Sequence, residues 1–169
     1  VLQHLQGFGS PKILVNDISY DNNLDKKFNI EWLDKETIYQ RADVITIHTP
    51  LTAQTKDMIK KEQLLSMKED AIIINTARGG IINEQDLYEV MQDGHLSGAA
   101  IDVFNFEPYN GKLKEISRCI LTAHMGSMSV DCRTRMEIEA TEEAVRFLTN
   151  QSLESVVPEE EYAVQREGL

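Results

Sequence analysis

Cysteine and cationic side chains are scarce in this sequence, and each scarcity removes a class of function. The 169 residues hold two cysteines, Cys119 and Cys132. Two thiols without metal-type spacing do not build a structural zinc site, and they are too few for a disulfide-stapled scaffold. A reducing, cytoplasmic location is therefore expected. Lysine and arginine number 17 against 28 aspartates and glutamates, a net charge of -11 with histidine neutral. Nucleic acid and anionic membranes repel a surface of that sign, which points away from both as partners. A small anionic substrate stays open, because one local arginine can outweigh a distant negative field. No apolar run approaches the ~20 residues needed to span a bilayer, and no basic stretch leads into an apolar one. The four histidines show no H-E-x-x-H or paired spacing, so no metal site is expected. Ser127 lacks a G-x-S-x-G setting, which leaves serine hydrolysis weakly supported.

What is present is one domain's worth of chain with 41% hydrophobic residues, enough to bury a single core. Short β-branched runs occupy residues 12–16 (KILVN), 44–48 (VITIH), 71–75 (AIIIN), 97–103 (SGAAIDV) and 119–122 (CILT). Their consecutive apolar positions predict strands buried on both faces of a parallel sheet. Amphipathic stretches lie between them. The clearest spans 84–93, with Asn83 as cap, Glu84 and Asp86 in the first turn, Leu87, Val90 and Met91 as an i, i+3, i+4 stripe and Gly94 as terminator. Further helices are predicted over 35–40, 61–68 and 130–150, the last with Met136, Ala140, Ala144 and Phe147 as its buried stripe. The acidic residues 159–161 and their surroundings read as a solvated tail over 151–169.

In an open parallel sheet, ligands bind beyond the carboxyl ends of the strands, and polar residues sit there. Asp17 follows the first run. It suits the carboxylate that accepts both ribose hydroxyls of an adenosine and repels a 2'-phosphate, which favours NAD over NADP; a turn-capping loop acid fits the position equally well. Arg78 lies in a Thr76-Ala77-Arg78-Gly79-Gly80 turn, where its fork of donors matches a carboxylate bidentately; the alternative is a surface ion pair. His124 precedes Gly126, and an imidazole there can exchange a hydroxyl proton. It could equally be a histidine satisfied by a backbone carbonyl, unless Glu107 reaches its other nitrogen. His4 and His95 read as surface residues, and His48 as a crevice residue or a strand end.

Taken in order, ADVITIHTPLT (42–52), INTARGG (74–80), GAAIDVF (98–104) through Glu107-Pro108, and LTAHMGS (121–127) resemble the D-isomer-specific 2-hydroxyacid dehydrogenase family, with the phosphoglycerate dehydrogenase group nearest in character. The resemblance implies a Rossmann-type doubly wound parallel sheet that binds NAD. It implies Arg78 as binder of the substrate carboxylate, His124 as acid/base and Glu107 as its partner. Asp17 would hold the ribose, with Thr49 and Pro50 lining the adenine end. The backbone of Thr76, Ala77 and Arg78 would lie along the nicotinamide, Asp102 would meet the carboxamide, and His124, Gly126 and Ser127 would close over the ring. The glutamate at 107 argues against the formate dehydrogenase branch.

The family's glycine-rich phosphate loop and first strand have no counterpart, since residues 1–9 resemble the helix that follows that loop, and the sequence reads as a fragment. Residues 1–127 would then be an incomplete dinucleotide-binding domain, and 128–150 a helix returning toward a substrate domain. Run 12–16 would be the second strand, 44–48 the third and 71–75 the fourth, leaving a central place beside 71–75. Residues outside the sequence, another copy or another segment could fill that place, or 13–15 could pair directly with 72–74. The function implied is hydride transfer between nicotinamide and C2 of a D-2-hydroxy acid, 3-phosphoglycerate among the candidates, by a homodimer. An NAD(H)-sensing corepressor-type module and an inactive fragment are the alternatives.

Overall fold

Strands form where β-branched residues run together, and helices occupy the intervals. The computed structural model describes residues 1–9 and 11–156. Its elements are α1 (Leu2–Leu5), β1 (Ile13–Val15), α2 (Asn22–Phe28), β2 (Ile30–Trp32), α3 (Lys35–Arg41), β3 (Val44–Ile47), α4 (Lys61–Ser66), β4 (Ile72–Asn75), α5 (Glu84–Gln92), β5 (Gly98–Ile101), a 3-10 turn at Lys112–Glu115, β6 (Cys119–Leu121) and α6 (Val130–Leu148). All strand pairings are parallel. Strands β3-β4-β5-β6 make a four-stranded sheet and β1-β2 a second, two-stranded one, an α/β arrangement of Rossmann type. Of the expected tail, residues 151–156 are exposed, and 159–161 lie outside the described residues.

The sequence reading passed over α2 and β2, and the omission has a consequence. It placed run 71–75 one strand too early and assigned it the unpaired side. In the structure β4 is paired on both sides, by β3 and β5. It is β3 whose outer edge has no neighbour among the described residues, and β1 pairs with β2 alone. Residues 13–15 do not pair with 72–74; their partners are Ile30, Glu31 and Trp32. Glu31 also joins β2 to its surroundings: Arg41 grips it with two bonds of 2.8 and 2.9 Å and Lys12 lies 2.7 Å away. The Arg41 guanidinium, then Lys12, holds its carboxyl down to about 2.

The core lies against one face of the larger sheet. Ile45, Ile47 and Ile73 alternate with exposed or half-buried neighbours and pack with Leu64, Leu87, Val90 and Met91 from α4 and α5. Burying one such aliphatic side chain contributes roughly 1.5–3 kcal/mol. The expectation of burial on both faces is corrected: Val44, Ile72 and Ile120 are 54%, 38% and 68% exposed. Helix α5 starts as predicted, with the Asn83 side chain accepting from the Asp86 N–H at 3.0 Å, and Gly94 at φ +85° follows its end. Helix α6 is also corrected. None of its residues is buried, and Met136 and Phe147 of the expected stripe are 54% and 70% exposed. A stripe needs a surface to pack on, and what α6 meets is the segment after it, where Glu143 accepts the N–H groups of Glu154 and Ser155.

Candidate active site

Parallel pairing puts the carboxyl ends of β4, β5 and β6 at one edge of the sheet, so the loops bearing Arg78, Glu107 and His124 leave from the same side. Register carries this through, as Asn75 pairs with Ile101 and Ile101 with Leu121. His124 and Glu107 meet there: Nδ1 lies 2.9 Å from Glu107 Oε2. The other carboxylate oxygen accepts the Phe104 N–H at 3.0 Å. That N–H, then the His124 contact, lowers the Glu107 pKa below its ordinary value. An ionised Glu107 assigns the proton to Nδ1 and leaves Nε2 as the acceptor.

His124 itself sits at φ +53°, a left-handed conformation that costs a non-glycine residue roughly 1 kcal/mol or more. Asp102 holds it there. Its backbone carbonyl accepts the His124 N–H at 2.8 Å. Its carboxylate accepts the Thr122 hydroxyl at 2.5 Å and the Met125 N–H at 2.8 and 3.1 Å. Burial pushes the Asp102 pKa up, but the Thr122 hydroxyl and the backbone N–H groups of Met125 and Gly126, with the His124 charge, outweigh it and the net shift is downward. Asp102, expected at a carboxamide, thus has both oxygens engaged by the histidine's own turn.

Arg78 is exposed, and its Nη1 donates to the Ala77 carbonyl at 2.7 Å. The turn beneath it is fixed from two sides. Asn75, 2% exposed, donates from Nδ2 to the Arg78 carbonyl at 3.0 Å and accepts the Ala77 N–H at 3.1 Å. Gly79 lies against the backbone of Phe104 and Asn105, in the space a Cβ would need. The Arg78 turn is therefore in van der Waals contact with the loop that leads to Glu107.

The residues expected at a cofactor are more dispersed. Asp17 is exposed, and one of its oxygens accepts the Ser19 N–H at 2.9 Å. Both readings of it are thus compatible, since the second oxygen has no partner among the described residues. The loop beyond it is tied down by Asp25, which accepts from the Tyr20 hydroxyl and the Trp32 indole. Thr49 carries a buried hydroxyl with no hydrogen-bond partner among the described residues, which suits a polar ligand. Pro50 is exposed and its carbonyl accepts the Thr55 hydroxyl at 2.6 Å. Thr76 is exposed and Ala77 half-buried at the turn, Gly126 has nothing within 4 Å of its missing Cβ, and Ser127 is half-buried beside it. The residues present fit an adenosine ribose and a polar contact at the β3 end. No glycine-rich turn opens a helix beside β1 among the described residues.

His48 meets the Thr46 hydroxyl at 3.0 Å and stays exposed. His95, expected at the surface, is half-buried and bonds the Met67 carbonyl at 3.1 Å. Sequence reasoning missed Asn75, Thr122 and the Gly79 contact. The signal for Asn75 was available: an amide that closes an apolar strand run directly before a turn. Two concavities lie away from these groups, one along α6 and one between α1, α2 and β2. What marks this end of the sheet is the Glu107–His124 pair rather than a concavity.

Residues 1–126 match the family described as D-isomer specific 2-hydroxyacid dehydrogenase, NAD binding domain. The chain is 31% identical over 171 residues to a glyoxylate reductase of Korarchaeum cryptofilum, covering 100% of this chain and 51% of that protein. It is 35% identical over 148 residues to D-3-phosphoglycerate dehydrogenase of Bacillus subtilis, covering 87% and 28%. Its fold superposes on apo D-mandelate dehydrogenase of Rhodotorula graminis with a TM-score of 0.83 at 28% identity, covering 92% and 46%. The chain thus spans about half or less of the length of these relatives.

Proposed function

This chain belongs to the D-isomer specific 2-hydroxyacid dehydrogenase family, and from that premise we propose that it serves an NAD-dependent oxidoreductase that interconverts a D-2-hydroxy acid and its 2-oxo acid. The observation that carries the reading is the 2.9 Å contact between Glu107 and His124 on a turn held by Asp102. NAD, when bound, supplies the nicotinamide carbon that takes or returns the hydride at C2. Asp17 would hold the ribose and Thr49 and Pro50 the adenine end. The Thr76–Arg78 backbone, Asp102, Gly126 and Ser127 would border the nicotinamide.

His124 Nε2 accepts the C2 hydroxyl proton in oxidation and returns it in reduction. Glu107 keeps the other nitrogen protonated and stabilises the imidazolium that forms. Arg78 pairs with the substrate carboxylate and aligns C2. Residues 1–127 act as the dinucleotide-binding unit. Helix α6, with no residue buried, leads toward a substrate-binding domain. Among substrates, 3-phosphoglycerate is supported by the Bacillus relative and small 2-oxo acids by the glyoxylate reductase. The test is turnover by the full-length protein with NADH, followed by loss of its absorbance, on glyoxylate, hydroxypyruvate, pyruvate and 3-phosphohydroxypyruvate. Turnover on none of them would refute the proposal.

A further inference from the structure

The buried polar side chains among the described residues are Thr52, Asn75 and Asp102. Asp102 has its explanation in the His124 turn. Asn75 belongs to no part of the chemistry above, yet it is 2% exposed at the last position of the central strand β4. A buried amide is retained only where its donor and acceptor are both used. Here both face the same turn: Nδ2 donates to the Arg78 carbonyl at 3.0 Å, and Oδ1 accepts the Ala77 N–H at 3.1 Å. The backbone of Asn75 is fixed independently, since its carbonyl accepts the Asp102 N–H at 3.0 Å.

The chemistry of that pair of bonds is selective. It calls for one donor and one acceptor on a single planar group, one methylene from the strand. Aspartate keeps the acceptor and loses the donor when ionised, leucine loses both, and glutamine places the same group one methylene too far. The side chain that depends on the turn has little else to hold it: Arg78 is exposed and makes one side-chain hydrogen bond among the described residues, to its neighbour's carbonyl. Where its guanidinium stands is thus decided by where its backbone stands.

We infer that Asn75 is a positioning residue for the substrate carboxylate, acting through the Ala77–Arg78 turn to hold the guanidinium in place; this rests on the role proposed for Arg78. The Asn75→Asp variant of the full-length protein is the discriminating probe. Once protonated, its carboxyl regains an O–H donor toward the Arg78 carbonyl while its other oxygen still accepts from Ala77, and burial raises the pKa of such a carboxyl. The titratable groups on neighbouring elements are Arg78 on the same turn, Asp102 after β5, His48 after β3 and Glu107 beyond, so each pH is referenced to the parent protein.

Relative to that parent, KM for the 2-oxo acid should rise roughly tenfold or more at pH 8 and return toward parity near pH 6, as expected when a misplaced binding group recovers its position. The dissociation constant for NADH should stay within about twofold. Hydrogen exchange supplies a readout that needs no turnover: the Ala77 amide should lose protection in Asn75→Leu, which removes its acceptor, and keep it in Asn75→Asp, whose carboxylate still accepts it. Unchanged protection of Ala77 in Asn75→Leu overturns the inference whether or not the enzyme is active. So does a parallel rise in KM and in the NADH dissociation constant, which is the signature of general damage. Absence of turnover by the parent would count against the proposed reaction while the exchange measurement still decides the role of Asn75. If Asn75→Asp does not fold, Asn75→Ser, which keeps one hydrogen-bonding atom, carries the same comparison at a single pH.

Discussion

A single methyl group at Gly79 should damage both the stability of the fold and the geometry of the crevice. A Cβ built there collides with the carbonyl of Phe104 and stands 2.7 Å from the backbone nitrogen of Asn105, where an ordinary contact begins at 3.4 Å. These atoms are backbone, so no rotamer change relieves the clash, and one of the two loops must move by more than an ångström to restore an ordinary contact. On one side that displaces Arg78. On the other it displaces Phe104, whose N–H bonds Glu107 at 3.0 Å, and with it the partner of His124. Overpacking of this kind costs about 1–3 kcal/mol, which for a domain of this size lowers Tm by roughly 2–12 °C. A misplacement near 1 Å can reduce rate by about 10²-fold.

The assay is a thermal melt together with kcat/KM of the full-length Gly79→Ala variant. Gly126→Ala serves as the control, because nothing lies within 4 Å of its Cβ position and its φ is not positive; its Tm should stay within about 1 °C of the parent, as surface substitutions usually do. Parental Tm and kcat/KM in Gly79→Ala would show that the two loops are not locked together and would remove the steric basis of the argument.

The remaining expectations follow from the polar contacts. His124→Ala and Glu107→Gln should each lower kcat, the first by about 10²-fold or more; parental turnover in both would dismiss the acid/base assignment. Arg78→Ala should raise KM for the 2-oxo acid while the NADH dissociation constant measured by fluorescence titration changes little, and the reverse pattern would place Arg78 at the cofactor instead. Asp102 and Glu107 both have lowered pKa values, so the stability they contribute is present above the ordinary carboxylate range and is lost as pH falls through their folded-state values. The slope of Tm against pH below about pH 5 should therefore flatten in Asp102→Asn, and an unchanged slope would mean that its contacts to Thr122 and Met125 contribute nothing to folding.

The parts of this fold that were legible in the sequence are those whose signals are local. Four apolar runs became β3 to β6 nearly as bounded, and the Asn83 cap and the Leu87, Val90, Met91 stripe of α5 form as their spacing dictates. Strand β2 was missed because Glu31 interrupts its only three residues, and the salt bridges that make the glutamate tolerable come from Lys12 and Arg41, distant in sequence. Helix α2 was missed because NNLDKKF has no buried residue to give it a stripe. The opposite error arose at α6, whose spacing is amphipathic but whose apolar residues meet no core among the described residues. The site divides in the same way. Arg78, Glu107 and His124 could be singled out by type and place, but that Asp102 is spent on the His124 turn, and that Asn75 spans the Arg78 turn, depends on hydrogen bonds that no spacing rule encodes.

Among the described residues the two ladders of strands share no pairing, and that separation bears on how these 169 residues, taken by themselves, come apart. Nothing in α1, β1, α2 or β2 is buried, whereas β3 to β6 rest on side chains with no solvent exposure, such as Leu64, Ile73 and Val90. Cooperativity follows buried contacts, so in this stretch of chain taken by itself the segment carrying Asp17 forms a low-stability unit, able to open while the larger sheet persists. Denaturation should then proceed in two stages: mild heat or urea loosens the grip on the adenosine end while the Glu107–His124 pair is still assembled, and only the second stage dismantles the pair.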